Sequence, residues 1–412
     1  MGDKAIGAGG GMIPFDVAGE RILAGILAVT ESEYVELDNL LGRILAEDVI
    51  AGINVPNHDN SAMDGYAVRS VDLTGSGEIV LKVVFDLAAG GWFEGTLGSG
   101  EAIRIMTGAP IPAGADTVVM QEVCRREREW VGIPAGVKAG DHIRRAGEDM
   151  RSGTNVFQRG RRLGPVDVGV LASLGIARVR VFRRVRVAVL STGNEVVEVG
   201  EPLGPGQVYN SNRAGLKAAL AKMGCEVLDW GIIGDTLEEV EAALVRAGNE
   251  ADAIISTGGV SVGDYDWVRL ALEKRGHCDF WKVAMKPGKP LAYGRMGQAV
   301  FLGLPGNPVS ALTVFYLLIR PALFALMGRE VVPKISFQAK FQGHFSKKHG
   351  RREFLRGRVA FLADGVEVAM TGAQGSGILT SLARANAFIV LPEGPVTLTT
   401  GDRVSVWMID DE

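Results

Sequence analysis

Three glycine-bearing loops in the middle of the chain carry the residue types best suited to chemistry on a bound anion. They are STGNE at 191–195, TGGVSVGD at 257–264 and LPGNP at 304–308, and each follows a predicted strand. Glycine lets the backbone approach a phosphate, and free N–H groups at a helix start favour an anion. We interpret the three loops as one site for a phosphorylated small molecule, although each alone could be an ordinary turn. The candidate binding residues are Ser191, Thr192, Gly193, Gly258, Gly259, Ser261, Gly263, Pro305, Gly306, Asn307 and Pro308.

Between the second and third loops, the segment WKVAMKPGKP at 281–290 places three lysines within eight residues. If the segment is a strand, its period of two puts Lys282 and Lys286 on one face, and two prolines stiffen the chain around Lys289. Three cations beside glycine loops suit a phosphate or another oxyanion. The alternative is a solvated strand edge whose lysines oppose aggregation.

Acidic residues accompany the same loops at Glu195, Asp235, Asp264 and Asp266. Carboxylates close to bound phosphates commonly hold Mg²⁺, which prefers oxygen ligands. Any one of them could instead cap a helix N-terminus. The sequence leaves both roles open for each carboxylate.

The loops need a parallel sheet to bring them together, and the segment 184–328 has the matching pattern. Predicted strands at 185–190, 226–233, 253–256 and 299–304 alternate with helices, one of them capped by Asn212 and another opened by the capping box of Thr236 and Glu239. Strands alternating with helices predict βαβ units and a mainly parallel sheet. Before this domain we expect helices from Pro14 and from Asp38 through Leu45, then β structure over 51–147. After it, 333–412 again has the pattern of a small β domain.

Composition excludes several classes of protein. A net charge of −4 and a pI near 5.9 argue against a nucleic-acid binder or a protein of anionic membrane surfaces. The three cysteines lie far apart without a C-x-x-C pair, which fits a reducing cytoplasm. The longest apolar run, 309–319, ends at Arg320-Pro321 and is too short to cross a bilayer. We therefore expect a cytoplasmic protein without a membrane or nucleic-acid partner.

The sequence Gly259-Val-Ser-Val-Gly263 also matches the nucleophile elbow of serine hydrolases. That alternative requires the serine directly after the strand and a histidine further on in the same domain. Here Thr257-Gly258 intervenes, and His344 and His349 lie in the predicted C-terminal β domain. We reject the hydrolase interpretation on these grounds, and the five histidines have no zinc-ligand spacing.

Seven motifs in order, DNSAMDGYA, IRIMTGAP, IRRAGED, STGNE, GGVSVGDYD, KPGKP and GLPGNP, resemble those of the molybdopterin molybdenumtransferases and of the related gephyrin E domain. The resemblance runs from about residue 13 to the end. It implies an α/β multidomain fold: a discontinuous helical domain (13–50 and 148–180), an inserted β domain (51–147), a central, mainly parallel α/β domain that binds molybdopterin (181–328) and a C-terminal β barrel (333–412).

The resemblance further implies a transferase that inserts molybdate into adenylylated molybdopterin with Mg²⁺, giving molybdenum cofactor and AMP. It implies a homodimer in which Asp64, Thr107, Arg144 and Asp149 of one subunit reach the cleft of the other. The adenylylating enzyme of the pathway and the molybdoenzymes that receive the cofactor are further expected partners.

Individual positions match the family's functional residues. The implied catalytic residues are Asp64, Thr107, Arg144, Asp149, Glu195, Asp235, Asp266, Lys282 and Lys286, and the implied metal ligands are Glu195, Asp235 and Asp266. Four residues, Lys286, Pro287, Arg356 and Ser376, match positions linked to molybdate. Charge and hydroxyl donors of this kind suit a tetrahedral dianion.

Two positions depart from the family pattern. Asn194 stands where relatives commonly have Asp, and Thr236 where many carry a second Asp after Asp235. Both reduce the supply of carboxylates for Mg²⁺. A tungstate-specific paralogue and a non-catalytic scaffold of the gephyrin kind remain alternatives, because tungstate is almost isosteric with molybdate and a scaffold could keep the fold. The retained Glu195, Asp235, Asp266 and Lys286 favour catalysis.

Overall fold

A computed structural model of the chain describes residues 11–259, 267–329, 334–348, 350–363 and 365–409. The chain forms two compact units. We call residues 11–33, 42–46 and 181–409 the large unit, and Tyr34–Leu41 with Glu47–Arg180 the small unit. The domain boundaries expected from the sequence divide the chain more finely and stay a prediction.

The described residues form the following helices and strands. The α-helices are α1 Phe15–Ala24, α2 Pro165–Ser173, α3 Ser211–Met223, α4 Leu237–Glu250, α5 Trp267–Arg275, α6 Pro308–Val314, α7 Arg320–Leu326 and α8 Leu379–Ala383. Short 3-10 helices lie at Leu37–Asn39, Ser70–Leu73 and Gln121–Val123, and a π-helical segment lies at Phe315–Ile319. The strands are β1 Ser32–Glu36, β2 Val49–Ile50, β3 Asn60–Ser61, β4 Gly65–Val68, β5 Glu78–Leu87, β6 Glu101–Ile105, β7 Thr117–Met120, β8 Arg125–Glu127, β9 Trp130–Pro134, β10 Ile143–Arg144, β11 Asn155–Phe157, β12 Arg178–Phe182, β13 Arg186–Thr192, β14 Val196–Val197, β15 Val208–Tyr209, β16 Glu226–Ile233, β17 Ala253–Thr257, β18 His277–Lys282, β19 Met285–Lys286, β20 Pro290–Met296, β21 Ala299–Leu304, β22 Ser336–Gln342, β23 Phe345–Lys347, β24 Arg352–Leu362, β25 Gly365–Met370, β26 Ala387–Leu391, β27 Val396–Leu398 and β28 Arg403–Met408.

A six-stranded sheet forms the centre of the large unit, in the order β16-β13-β17-β21-β20-β18. The first four strands are mutually parallel, and β20 runs antiparallel to both of its neighbours. Strands β13, β17 and β21 are buried along nearly their whole length, as expected when helices cover both faces of a parallel sheet. The predicted mainly parallel α/β sheet is confirmed.

Helices cover both faces of this sheet. Helix α3 and the chain from α6 to α7 pack in one apolar cluster with β13 and β21, while α4 and α5 pack in a second cluster on the other face. Helix α3 ends at Gly224, whose φ of +83° is the left-handed conformation that glycine adopts without strain. Its N-cap is Asn210 rather than the predicted Asn212, because Asn210 accepts a hydrogen bond from the Arg213 N–H.

The apolar run after the third loop forms a longer helix than the sequence analysis allowed. Helical structure continues through Arg320-Pro321, so that α6, the π segment and α7 make one helix over Pro308–Leu326. Pro321 is tolerated because it lies where the π segment passes into α7. This helix has the length and hydropathy of a membrane span, but 72% of its most apolar window is buried within the protein. Such burial is typical of a core helix, so the helix is weak evidence for a membrane span.

The C-terminal part of the large unit is a closed β barrel. Its strands pair in the ring β24-β25-β22-β28-β26, and β26 returns to β24. The short strand β19 adds to the outside of the ring by pairing parallel with β24, with Lys286 opposite Glu353. An apolar cluster fills the barrel. Barrel and sheet are therefore joined by hydrogen bonds as well as by chain connections.

The small unit contains its own six-stranded sheet in the order β7-β4-β6-β5-β9-β8. Two apolar clusters pack on this sheet. The β structure predicted for this part of the chain is confirmed. Two further strand pairs, β3 with β10 and β2 with β11, lie outside the sheet. Helix α2 begins at Pro165, because the fixed φ and missing N–H of proline suit the first helical position.

The predicted helix from Asp38 through Leu45 is wrong. A single 3-10 turn covers Leu37–Asn39, and the chain then turns at Gly42 with a φ of +76°. A right-handed helix cannot pass through that conformation. Leu45 forms an isolated β-bridge with Val181 and is fully buried. The apolar spacing of this segment therefore reflects a tertiary β contact, not a helix face.

Candidate functional site

The described parts of the three glycine loops, which for the second loop end at Gly259, lie side by side because β13, β17 and β21 are adjacent parallel strands. Each loop begins at the carboxyl end of its strand. Ser191 and Thr192 end β13 and are buried, and the Ser191 hydroxyl is 2.8 Å from the Thr257 hydroxyl at the end of β17. Gly258 has a φ of +85°, and a Cβ built on it would lie 2.4 Å from the Thr192 carbonyl oxygen. Only glycine fits this approach of two loops without strain.

A cavity of about 1070 Å³ opens at these loops within the large unit. One side is formed by the three glycine loops and the start of α3. The other side is formed by residues 286–290 and by barrel residues from β24 and the loop before α8. The predicted binding residues in its wall are Thr192, Gly258, Gly259, Lys286, Pro287, Pro305, Gly306, Asn307, Pro308, Arg356 and Ser376. Ser191 lies directly behind the wall, hydrogen-bonded to Asn210, which is part of it.

Lys286 and Lys282 do not share a strand face, contrary to the sequence analysis. Strand β18 of the central sheet ends at Lys282, whereas Lys286 belongs to β19 beside the barrel, because the chain changes sheet between them. Lys282 is absent from the cavity wall, and its carbonyl accepts a hydrogen bond from the Ile13 N–H. Lys286 Nζ lies 2.9 Å from Glu353 Oε1. The lysine side chain is 56% exposed and the glutamate side chain only 6%, so the cation extends into the cavity from a buried anchor.

Arg356 is the most deeply buried cation at the site, with 1% of its surface exposed. Its guanidinium donates to the Ser381 hydroxyl at 3.0 Å and to the Gly375 carbonyl at 3.0 Å. Burial lowers the pKa of Arg356, and the nearby Glu353 carboxylate acts in the opposite direction. The same bonds fix the loop that carries Ser376, whose carbonyl accepts from the Val309 N–H at the start of the long helix. Arg356 and Ser376 therefore occupy one rigid corner of the cavity.

The candidate metal ligands are only partly brought together. Glu195 is exposed in the cavity wall. Asp235 is not in the wall; its Oδ2 accepts a hydrogen bond of 3.2 Å from Asn194 Nδ2. Thr236 caps α4 by accepting a hydrogen bond of 3.3 Å from the Glu239 N–H, which is one of the two bonds of the predicted capping box, and its hydroxyl donates to Glu239 Oε2 at 2.8 Å. Within the described ranges, no three His, Cys, Asp or Glu side chains are close enough to hold a metal ion.

Several predicted residues fall outside the described ranges. These are Ser261, Gly263, Asp264 and Asp266 of the second loop. The third member of the predicted metal set, Asp266, is among them, so the described residues do not by themselves fit a metal site. The serine of the rejected hydrolase motif, Ser261, lies in the same gap.

The remaining four predicted catalytic residues belong to the small unit. Asp64 Oδ1 accepts hydrogen bonds from the Thr107 N–H at 2.7 Å and from the Thr107 hydroxyl at 2.8 Å. These two bonds hold the pKa of Asp64 below its ordinary value, so it is ionised at neutral pH. Arg144 lies on β10 and Asp149 follows it, both with exposed side chains. Their predicted placement in a partner's cleft stays a prediction.

The cavity is also lined by residues that no sequence pattern marked as ligand-binding, among them Asn210, Asn212, Arg351, Glu353 and Gln374. The two asparagines lie at the start of α3, and their spacing in the sequence suggested only a helix cap. The other three come from the barrel, more than 40 residues beyond the last glycine loop. No local sequence pattern links these three residues to the glycine loops, because the pairing of β19 with β24 brings the barrel to the cavity.

Comparison with known protein families divides the chain into three matched segments. Residues 13–175 match the "MoeA N-terminal region (domain I and II)", residues 188–325 the "Probable molybdopterin binding domain", and residues 338–409 the "MoeA C-terminal region (domain IV)". The cavity lies where the second and third segments meet. Fold and site thus define a multidomain protein of molybdenum cofactor biosynthesis.

Individual relatives narrow this class. The chain is 44% identical to a molybdopterin molybdenumtransferase of Haemophilus influenzae over 96% of its own length and 98% of the relative's. It is 35% identical to the enzyme of that name from Bacillus subtilis, over 97% and 95%. A solved structure of a molybdopterin biosynthesis MoeA protein from Pyrococcus horikoshii superposes with a TM-score of 0.83 and 33% identity, covering 98% of this chain and all of that one. The chain belongs to the molybdopterin molybdenumtransferase family, and it is a transferase of molybdenum cofactor biosynthesis.

Proposed function

We propose that the protein inserts molybdate into adenylylated molybdopterin in a Mg²⁺-dependent reaction that yields molybdenum cofactor and AMP. The observation that carries this proposal is the pairing of cationic barrel residues with glycine loops around one cavity. Among the described residues of its wall, four are cationic (Lys286, Lys289, Arg351, Arg356) and two are carboxylates (Glu195, Glu353), so this part of the wall carries two more positive than negative charges. A pocket of this size accommodates a dinucleotide-sized ligand.

The two sides of the cavity suit different parts of such a ligand. The glycine loops and the helix starts behind them suit a diphosphate, because backbone N–H groups there point towards an anion. Lys286, Arg356 and Ser376 offer charge and hydroxyl donors to a tetrahedral dianion such as molybdate. Both anions would then be bound within one cavity, which favours reaction between them by proximity.

Mg²⁺ would neutralise charge on the diphosphate when bound. Glu195 is the one described carboxylate of the predicted set that lines the cavity, and Asp235 is tied to Asn194. Because the described residues alone do not complete a metal site, the metal requirement rests on the family resemblance. Residues Glu195 and Asp235 would hold the ion together with Asp266.

The proposed reaction is tested with the purified chain, adenylylated molybdopterin, molybdate and Mg²⁺. We expect AMP release that depends on molybdate, and a product that activates an apo-molybdoenzyme. Chelation of Mg²⁺ with EDTA should stop AMP release, and Mg²⁺ should restore it. A preparation that releases no AMP in response to molybdate at any Mg²⁺ concentration would contradict the proposal.

We further propose a cytoplasmic homodimer, in which the half-buried Asp64 and the exposed Thr107, Arg144 and Asp149 of one subunit complete the cavity of the other. The chain's mass is 43.7 kDa, so light scattering should give a particle of twice that mass. The expected partners are the adenylylating enzyme of the pathway and the molybdoenzymes that receive the cofactor. A monomer at micromolar concentration would contradict the dimer.

Glu353 provides a prediction about anion selection. Its carboxylate is 2.9 Å from Lys286 Nζ, so an anion bound to that amine lies about 6 Å away from the carboxylate. Even at the dielectric constant of water, a dianion there is repelled by about 1.4 kcal/mol. The ion pair with Glu353 stabilises the orientation of Lys286 by about 0.2–1 kcal/mol, which is less than this repulsion. We therefore expect Glu353→Gln to lower the KM for molybdate about tenfold and to strengthen inhibition by sulfate.

The matched control for this prediction is Glu367→Gln. Glu367 lies on β25 of the same barrel and outside the cavity wall, so its replacement should leave both constants unchanged. Steady-state AMP release against molybdate, with and without sulfate, measures them. An unchanged or higher KM in Glu353→Gln would mean that orientation of Lys286 outweighs charge repulsion.

A further inference from the structure

Three buried polar atoms without hydrogen-bond partners belong to one side of the cavity. They are Thr192 Oγ1, Asn210 Nδ2 and Asn212 Oδ1. Their residues are only 4%, 4% and 9% exposed, and all three line the cavity. We call these three residues the amide wall. A buried polar group left unpaired costs about 1–3 kcal/mol, so three in one wall suggest that a ligand pairs with them.

The orientation of Asn210 follows from its neighbours. Its Oδ1 accepts from the Ser191 hydroxyl at 3.1 Å and from the Arg213 N–H at 3.2 Å. A flipped amide would present its N–H₂ group to the Arg213 N–H donor and lose the helix cap. The group left for a ligand is therefore the N–H₂ donor.

The side-chain amide of Asn212 has the opposite orientation, with its N–H₂ group bonded to the protein. Its Nδ2 donates to the Gly306 carbonyl at 2.7 Å, which ties α3 to the third glycine loop and leaves Oδ1 as an acceptor. The Thr192 hydroxyl can accept or donate. The amide wall thus offers one donor, one acceptor and one hydroxyl without any charge. The opposite side of the cavity carries Lys286 and Arg356.

We propose that the amide wall binds the pyrimidinone edge of the pterin ring of the substrate, while the diphosphate lies along the neighbouring glycine loops and molybdate lies towards Lys286 and Arg356. This inference rests on the proposed function. A pterin edge presents an amino group, a ring N–H and a carbonyl in a row. Asn212 Oδ1 and the Thr192 hydroxyl accept from the two donors, and Asn210 Nδ2 donates to the carbonyl. An adenine edge has one amino donor and one ring acceptor, so it would leave one of the three groups unpaired.

The three atoms are shielded from solvent just beneath the cavity surface. Pairing with a flat ring edge therefore requires small side-chain rotations on binding, and a ligand that pairs with all three recovers their cost of burial. Water could satisfy the same atoms without any ligand. The experiment has to separate pterin, adenine and water as their partners.

Thr192→Val is the sharpest variant, because it removes a hydroxyl that has no partner while keeping the side-chain shape. Stability should be unchanged or higher. The matched control is Thr313→Val, since Thr313 Oγ1 is likewise buried without a partner but lies outside the cavity wall. Both variants are made in the full chain, and circular dichroism melting verifies the fold.

Binding of pterin (2-amino-4-oxopteridine) is followed by its fluorescence, with lumazine (2,4-dioxopteridine) and AMP as the other probes. We expect Thr192→Val to weaken pterin binding about tenfold and to leave AMP binding unchanged, while Thr313→Val changes neither. Lumazine should bind more weakly than pterin to the unaltered chain, because a carbonyl replaces the amino donor.

Three results would overturn the proposal. The first is that pterin does not bind the unaltered chain at millimolar concentration. The second is an equal pterin affinity in Thr192→Val, which would mean that the wall pairs only with water. The third is a loss of AMP binding in Thr192→Val, which would assign the wall to adenine. Molybdate-dependent AMP release is measured separately. A chain that binds pterin through Thr192 but releases no AMP contradicts the proposed function and not the amide wall.

Discussion

Lys286→Ala is expected to lower the rate of molybdate-dependent AMP release by about 100-fold or more. Lys286 is a half-exposed cation in the cavity wall, held from below by the buried Glu353. Removing one preorganised electrostatic group from an enclosed site typically costs about 10²–10³ in rate. The substitution also leaves the Glu353 carboxylate without its lysine, so the wall changes from attracting anions to repelling them at this point.

The control for this variant is Lys340→Ala, which removes an exposed lysine of barrel strand β22 outside the cavity. Its rate and its KM for molybdate should equal those of the unaltered chain. Initial rates of AMP formation at saturating and limiting molybdate separate binding from turnover. A rate within threefold of normal in Lys286→Ala would exclude this lysine from the reaction.

Gly258→Ala is expected to destabilise the large unit by about 2–5 kcal/mol and to abolish activity. The residue has a φ of +85°, which costs an L-residue about 1–2 kcal/mol. The added Cβ would lie 2.4 Å from the Thr192 carbonyl oxygen, a backbone atom that cannot rotate away, and such overpacking costs about 1–3 kcal/mol more. Calorimetry should record a fall in Tm of at least about 4 °C.

Gly306→Ala provides the comparison within the same cavity. Its φ is not left-handed, and a Cβ built there meets no atom within 4 Å, so Tm should be unchanged. Any loss of activity in Gly306→Ala would then reflect crowding of the ligand rather than strain in the protein. Equal Tm values for the two variants would contradict the argument from backbone conformation.

The central domain could be predicted from the sequence because its signals are local. Short apolar runs predicted β13, β17 and β21, and the helices between them were predicted from their caps. Parallel strands align their carboxyl ends, so the three glycine loops had to meet. The glycine loops on this side of the cavity therefore followed from local sequence patterns, whereas the ligand-facing role of Asn210 and Asn212 at the start of α3 did not.

The barrel side of the cavity could not be predicted in this way. Arg356 and Ser376 were identified only through family resemblance, and Glu353 was missed. Their place depends on β19, two residues long, pairing with a strand more than 60 residues further along the chain. A pairing that short leaves no periodic signal. Long-range β pairing also places Lys282 and Lys286 beside different sheets. A long-range β contact likewise replaces the helix that was predicted at 38–45.

The late pairing of β19 with β24 has a consequence for synthesis of the protein on the ribosome. The amide wall is complete once residue 306 has emerged, but Lys286 gains its carboxylate anchor only after residue 353, and the corner with Arg356 closes only after residue 381. A nascent chain stalled near residue 340 would therefore contain the amide wall but not the barrel side of the binding site. The cationic side of the cavity is completed last, when the terminal barrel closes.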